Sequence, residues 1–196
     1  METTQPDGLI ERMQGGDLEA FEEFFNCYKR PVYATALAIT RDPFLAEEIL
    51  QDTFVKTYRV RDRLQADRSP LPWLHRVAIN LCYSRISRRK GLAEPITSLI
   101  TNLVVDLQQR PDQIVESREI VDVLQRGIDA LPPKQQTAIV LYYLHGYSLA
   151  EAADIADCNV GTMKSRLHYA LKALRASLPV ERRLPAGAPA PQEAGR

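Results

Sequence analysis

The amino-acid sequence predicts an all-α fold, two small helical modules joined by a flexible linker. Apolar residues recur at the three-and-four spacing of amphipathic helices, and the alternation of half-buried strands is missing. Gly and Pro are scarce where the periodic stretches run. Charge also divides the chain. The formal total over 196 residues is zero, but residues 1–60 sum to −5, 61–91 to +6, 92–133 to −4 and 134–196 to +3. Two basic zones are hidden in a neutral total, so a nucleic-acid partner stays open beside the plainer reading of solvated helix faces.

Composition narrows the classes further. No apolar run approaches the roughly 20 residues of a membrane span, so no membrane insertion is expected. The stretch METTQPDGLIERMQ lacks the basic-then-apolar pattern of a signal peptide, and Cys27, Cys82 and Cys158 lie far apart with no CxxC pair. The expectation is a cytoplasmic protein with unpaired thiols. His75, His145 and His168 are scattered, no glycine-rich phosphate loop is present, and no Cys/His set has metal-ligand spacing. Neither catalysis nor a cofactor nor a metal is expected.

An N-terminal extension, 1–17, precedes the first module, 18–90. Within it, PFLAEEILQDTFVKTYR turns Ala46, Ile49, Leu50, Thr53, Phe54 and Thr57 to one side of a helical wheel. Glu47, Glu48, Gln51 and Asp52 fall on the other, with Val55 and Tyr58 among them. This helix alone fits a solvated face and a protein-binding face equally well. The basic block that follows opens a helix at Pro72, with Leu74, Val77, Ala78, Leu81 and Cys82 inward. Trp73, Arg76, Asn80, Tyr83 and Ser87 lie opposite, and Arg85, Arg88, Arg89 and Lys90 crowd the end. Rings that stack, an amide that reads a base edge and guanidinium groups that hold phosphates suit single-stranded nucleic acid. Trp73 taken alone fits a core position.

The linker, 91–111, contains SLITNLVVDLQQ, whose Leu99, Ile100, Leu103, Val104 and Leu107 stand at helical spacing behind a possible N-cap, Ser98. A short docking helix is the expectation there. The second module, 112–178, starts with Ile114, Val121, Leu124, Ile128 and Leu131 on one helix face. LPPKQQ restarts the chain, and Ala138, Ile139, Leu141, Tyr142 and Leu144 face inward until Gly146 ends that helix. Ser148 and Glu151 read as a capping box, Ala152, Ala153 and Ala156 allow a close crossing, and Asn159 caps a last helix. Val160, Met163, Leu167, Ala170, Leu171 and Leu174 make its back. Thr162, Lys164, Ser165, Arg166, His168, Tyr169 and Lys172 make a polar, basic front. That is the build of a helix-turn-helix whose second helix enters a major groove. Residues 179–196 read as a disordered tail.

These two modules, in this order, resemble a bacterial RNA polymerase sigma factor of the extracytoplasmic-function (ECF) group. AFEEFFNCYKRPVYATALAITRDPFLAEEILQDTFVKTYR with PWLHRVAINLCYSRISRRK is similar to sigma region 2. ALPPKQQTAIVLYYLHGYSLAEAADIADCNVGTMKSRLHYALKALR is similar to region 4, and VGTMKSRL differs at one residue from the usual VGTVKSRL. The resemblance implies partners: core RNA polymerase through its β′ clamp helices and β flap, promoter DNA, and an anti-sigma factor. It implies that Glu48, Gln51, Asp52 and Phe54 support or contact the clamp helices, which favours the partner reading of that face, and Glu48, Gln51, Asp52, Val55 and Tyr58 are the expected polymerase-binding residues. It implies minus-ten contacts along the loop from about Asp62 to Leu71 and at Trp73, Arg76 and Asn80; the expected minus-ten set is Arg63, Trp73, Arg76, Asn80, Tyr83, Arg88 and Arg89. Minus-thirty-five contacts are implied at Thr162, Lys164, Ser165, Arg166, His168, Tyr169 and Lys172. The chain departs from the group's pattern at Asp52, where glutamate is usual, at Asn159 in place of a common proline, at Tyr169 where many members carry arginine, and in its apolar linker. The competing reading is a stand-alone helix-turn-helix regulator that binds duplex DNA as a dimer, which needs neither the acidic helix nor the Trp/Arg/Asn face.

Overall fold

The computed structural model describes residues 8–89 and 125–177, and among them every regular element is helical. The first unit holds α1 (Leu9–Gln14), α2 (Leu18–Thr40), α3 (Pro43–Arg59), a 3₁₀ turn (Arg61–Arg63) and α4 (Leu71–Arg89). The second holds helical residues 125–129, α5 (Pro133–Ile139) running into a π-type turn (Val140–Leu144), α6 (Leu149–Ile155) and α7 (Val160–Ser177). The apolar segment 98–108 and the tail lie outside the described residues.

Capping chemistry sets the boundaries of the first unit. Asp17 accepts from the backbone N–H of Glu19 and Ala20 at the start of α2. Arg41, in the left-handed region at φ 59°, ends it. Asp42 then accepts from the N–H of Leu45, and Pro43 takes the first turn of α3, where its missing donor costs nothing. α2, α3 and α4 pack as a three-helix layer on an aromatic centre. Phe24 lies 4.8 Å from Tyr28 and 6.0 Å from Phe54, and Phe25 meets Phe54 at 4.8 Å. Burial raises the Tyr28 hydroxyl to a pKa of about 12, so it stays protonated.

All six inward residues expected of α3 are buried. α1, inside the segment read as an extension, contributes Leu9, Ile10 and Met13 to the same core with no exposure. The Gln14 amide donates to the carbonyls of Arg61 and Leu64, at 3.2 and 2.9 Å, and so pins the turn before α4.

α4 differs from the wheel. Leu81 is only half-buried, whereas His75 and Ile79, given no inward role from the sequence, are fully enclosed. The reason is that α4 packs against α2 and α3 on one side and against α6 on another. In the second unit Gln136, Thr137 and Val140 are likewise buried beside the expected Ala138 and Leu141. The two units share one continuous apolar cluster, running from Leu9 to Leu167.

Phe24→Ala removes a fully enclosed ring, and its urea midpoint is expected to fall by the equivalent of about 3–5 kcal/mol. Phe44, 82% exposed, is the control: Phe44→Ala is expected to stay within about 0.5 kcal/mol of wild type.

Candidate nucleic-acid interface

The helix-turn-helix forms as its residues require. The Ser148 hydroxyl accepts from the Glu151 N–H (3.2 Å), and the Glu151 carboxylate accepts from the Ser148 N–H (2.8 Å). These bonds hold the Glu151 carboxyl below its usual pKa. Asp157, at φ 48°, turns the chain, and Asn159 caps α7 by accepting from Thr162 N–H at 2.7 Å. Met163, Leu167, Ala170 and Leu174 anchor the back of α7, with Leu171 half-buried. Val160, expected inward, is 40% exposed, because it begins the helix at the edge of the packing against α6.

On the front of α7, Lys164, Ser165, His168, Tyr169 and Lys172 are exposed, and Thr162 is half-buried. The rings of His168 and Tyr169 meet edge to face at 5.5 Å. The Ser165 hydroxyl donates to the Gly161 carbonyl at 3.0 Å, which leaves its oxygen free to accept. Arg166 turns back instead, half-buried, with its guanidinium 3.4 Å from the Cys158 sulfur.

The α4 face is divided. Asn80 and Arg88 on α4 and Arg63 before it are exposed, and Trp73 is half-buried against the core. The side chain of Arg89 lies outside the described residues. Arg76 and Tyr83 reach the second unit: Arg76 pairs with Asp154 (3.0 Å to its carboxylate) and also donates to its carbonyl. The Tyr83 hydroxyl donates to the Thr137 oxygen at 2.8 Å, and burial raises its pKa.

On α3, Glu47, Glu48, Gln51 and Val55 are exposed and Asp52 is half-buried. Arg85 of α4, which the sequence grouped with the basic helix end, instead holds Asp52 at 2.7 Å and Glu48 at 3.6 Å. Tyr58 is half-buried, its ring 4.9 Å from Phe21 and 4.5 Å under the Arg61 guanidinium.

Sequence reasoning gave no role to the junction between the units. Thr35 donates its one hydroxyl proton to the Pro31 carbonyl at 3.0 Å, so its oxygen accepts from Nε2–H of His145 at 2.7 Å. The His145 ring stacks on His75 at 4.1 Å, and His75 Nδ1 bonds the Tyr147 hydroxyl at 3.1 Å. Arg41 adds a bond to the Leu131 carbonyl (3.1 Å) and a 3.9 Å approach to Asp129. In the sequence His75 and His145 stand only as scattered histidines, and no local pattern joins them. Among the described residues no group of His, Cys, Asp and Glu could hold a metal, and no helix is long and apolar enough to cross a membrane.

Comparison with known proteins agrees with both halves. Residues 24–91 match the Sigma-70 region 2 family and residues 122–174 match Sigma-70, region 4. The ECF RNA polymerase sigma factor SigW of Bacillus subtilis is 32% identical over 178 residues, covering 86% of this chain and 94% of its own. The ECF RNA polymerase sigma-E factor of Escherichia coli is 29% identical, covering 85% and 90%. Among solved structures, the sigma factor RpoE in complex with the anti-sigma factor NepR, from Bartonella quintana, superposes with a TM-score of 0.64 at 23% identity, covering 83% of this chain and 98% of that one. CnrH in complex with the cytosolic domain of CnrY gives 0.58 at 21% identity, covering 86% and 93%. With region 2 and region 4 both present in that order, and with such coverage of its relatives, this chain belongs to the ECF RNA polymerase sigma factors of the sigma-70 family.

Proposed function

We propose that this sigma factor uses three separate surfaces. The acidic face of α3, with Glu48, Gln51, Asp52, Val55 and Tyr58, meets the β′ clamp helices of core polymerase. The α4 face and the turn before it, with Arg63, Trp73, Arg76, Asn80, Tyr83, Arg88 and Arg89, capture the minus-ten strand. The front of α7, with Thr162, Lys164, Ser165, Arg166, His168, Tyr169 and Lys172, reads the minus-thirty-five element, while region 4 also engages the β flap. The observation that carries this reading is the exposed basic front of α7 in the same chain as an acidic helix with an exposed valine, Val55 being 50% exposed. A stand-alone DNA binder has no use for the second feature.

No covalent bond in the DNA is broken during melting, so the work is binding. Stacking of captured bases offsets the unstacking, at a few kcal/mol per step as an order of magnitude. Tethering both reading units to one polymerase makes the second promoter contact intramolecular, so two weak contacts combine into a tight one. The chain acts in the cytoplasm, where the polymerase is, without catalytic chemistry of its own. An anti-sigma factor restrains it, a reading supported by the likeness to the sigma factor RpoE solved with the anti-sigma factor NepR.

Run-off transcription with purified core polymerase, on the DNA upstream of the chain's own gene, tests the reading. A discrete transcript that needs both components is expected; a footprint by the protein alone with no transcript would overturn it. Lys164→Ala is expected to weaken promoter binding by the holoenzyme and to flatten the log–log salt dependence by about 0.9, the share of one phosphate contact. Gln51→Ala is expected to weaken association with core polymerase several-fold in the absence of DNA, measured by fluorescence anisotropy. An unchanged core affinity would remove Gln51 from the surface.

A further inference from the structure

Taking the sigma-factor reading as its basis, we infer that the region 2–region 4 junction is a latch. It closes the free protein into a conformer unable to engage both promoter elements, and the His75–His145 stack, held by Thr35 and Tyr147, is its keystone.

Geometry excludes the closed conformer from a bipartite promoter. The two elements are named for positions about 25 base pairs apart, about 85 Å at ~3.4 Å per base pair. Asp154, beside Arg76, is only ten residues from Lys164. Even a fully extended chain covers about 35 Å over ten residues. With Arg76 paired to Asp154, the two reading surfaces are too close together to serve both elements, so the junction must open. Closure also occupies Arg76 and Tyr83, two of the residues assigned to the minus-ten strand, by bonding them to Asp154 and Thr137.

The latch is built to hold without being permanent. Hydroxyl and imidazole partners satisfy most of its polar atoms, but His75 Nε2 is buried without a well-formed hydrogen bond, the Pro31 carbonyl giving the ring only partial support. Opening returns that nitrogen to water and so offsets part of what closure gains. Core polymerase binds the open form, and its apparent affinity is reduced by whatever fraction is closed.

Protonation acts in the opening direction. Burial holds His75 well below the ordinary histidine pKa, with His145 adding to the effect and the Pro31 carbonyl opposing it, and burial lowers His145 to about 4. The groups around the pair are the Thr35 hydroxyl and Pro31 carbonyl on α2, the Tyr147 hydroxyl, Glu151 close to Tyr147, and the Arg76–Asp154 ion pair between α4 and α6. Both histidines have lower pKa values closed than open, so the open form binds more protons as pH falls below about 6.5. The latch is therefore complete above that pH and weakens progressively below it, by up to about tenfold per histidine for each pH unit.

The test uses the full-length protein. Small-angle X-ray scattering at pH 7.5 is expected to give a compact wild type, and His145→Lys, which sets a cation against the buried His75, a larger radius of gyration. His145→Lys is also expected to raise apparent core affinity about fivefold or more. His145→Gln, which keeps a neutral donor for Thr35, is expected to stay closer to wild type. Should circular dichroism show that His145→Lys loses helix, Tyr147→Phe removes a single hydroxyl and is expected to shift both readouts in the same direction by a smaller factor. Lowering the pH from 7.5 to 5.5 is expected to expand the wild type and to leave a folded open variant unchanged. A wild type already expanded at pH 7.5 would overturn the latch, as would variants as compact as wild type with the same core affinity. Scattering needs no polymerase and run-off transcription needs no scattering, so a failed latch and a failed sigma assignment give different results.

Discussion

The burial of α4 on two sides is the constraint on which the other features depend. A helix has one apolar stripe if it covers one core, and a second only if something else packs on it. Leu74, Ala78 and Cys82 form one buried row, four residues apart, while His75, Ile79 and Tyr83 form the next. His75 and Tyr83 hydrogen-bond the second unit, so their row belongs to the junction. The same helix carries the aromatic and cationic residues suited to single strands. Fold and inter-unit contact are therefore written on one 19-residue element, together with the face proposed for strand capture.

What was legible in the sequence is what local periodicity and capping control. The inward set of α3, the capping box at Ser148, the Asn159 cap and the buried back of α7 follow from residues three or four apart. The junction does not. Thr35 and His145 are 110 positions apart, and no pattern within either helix announces the other. His75 was passed over because a single histidine has no periodic signature. Ile79 was passed over because wheel reasoning grants each helix one inside. Val160 was misread for a related reason: a first-turn residue is on the correct face but beyond the end of its partner.

Electrostatics explains how a neutral chain presents surfaces of opposite sign. Acidic side chains gather on α3 and basic ones on α7 and at the end of α4, and Arg85 is placed to keep these from merging. By pairing with Asp52 and Glu48 it removes one positive charge from the α4 side and holds two carboxylates in register. Such half-exposed pairs contribute little to stability, of the order of 0–1 kcal/mol. Their use is orientation, since side chains already held lose less rotational freedom when a partner arrives.

Gly146 is exposed, with open space where a side chain would stand. A Cβ built there would meet no atom within 4 Å, yet the backbone stands at φ +71°. By contact it is a free surface position. By torsion it is not, because an L side chain in the left-handed region costs roughly 1–2 kcal/mol. That strain would fall on the one bend that carries the chain from His145 to Tyr147. Tolerance to replacement here is thus decided by chirality rather than by neighbours, and a solvent-facing site inherits the intolerance usually reserved for the interior.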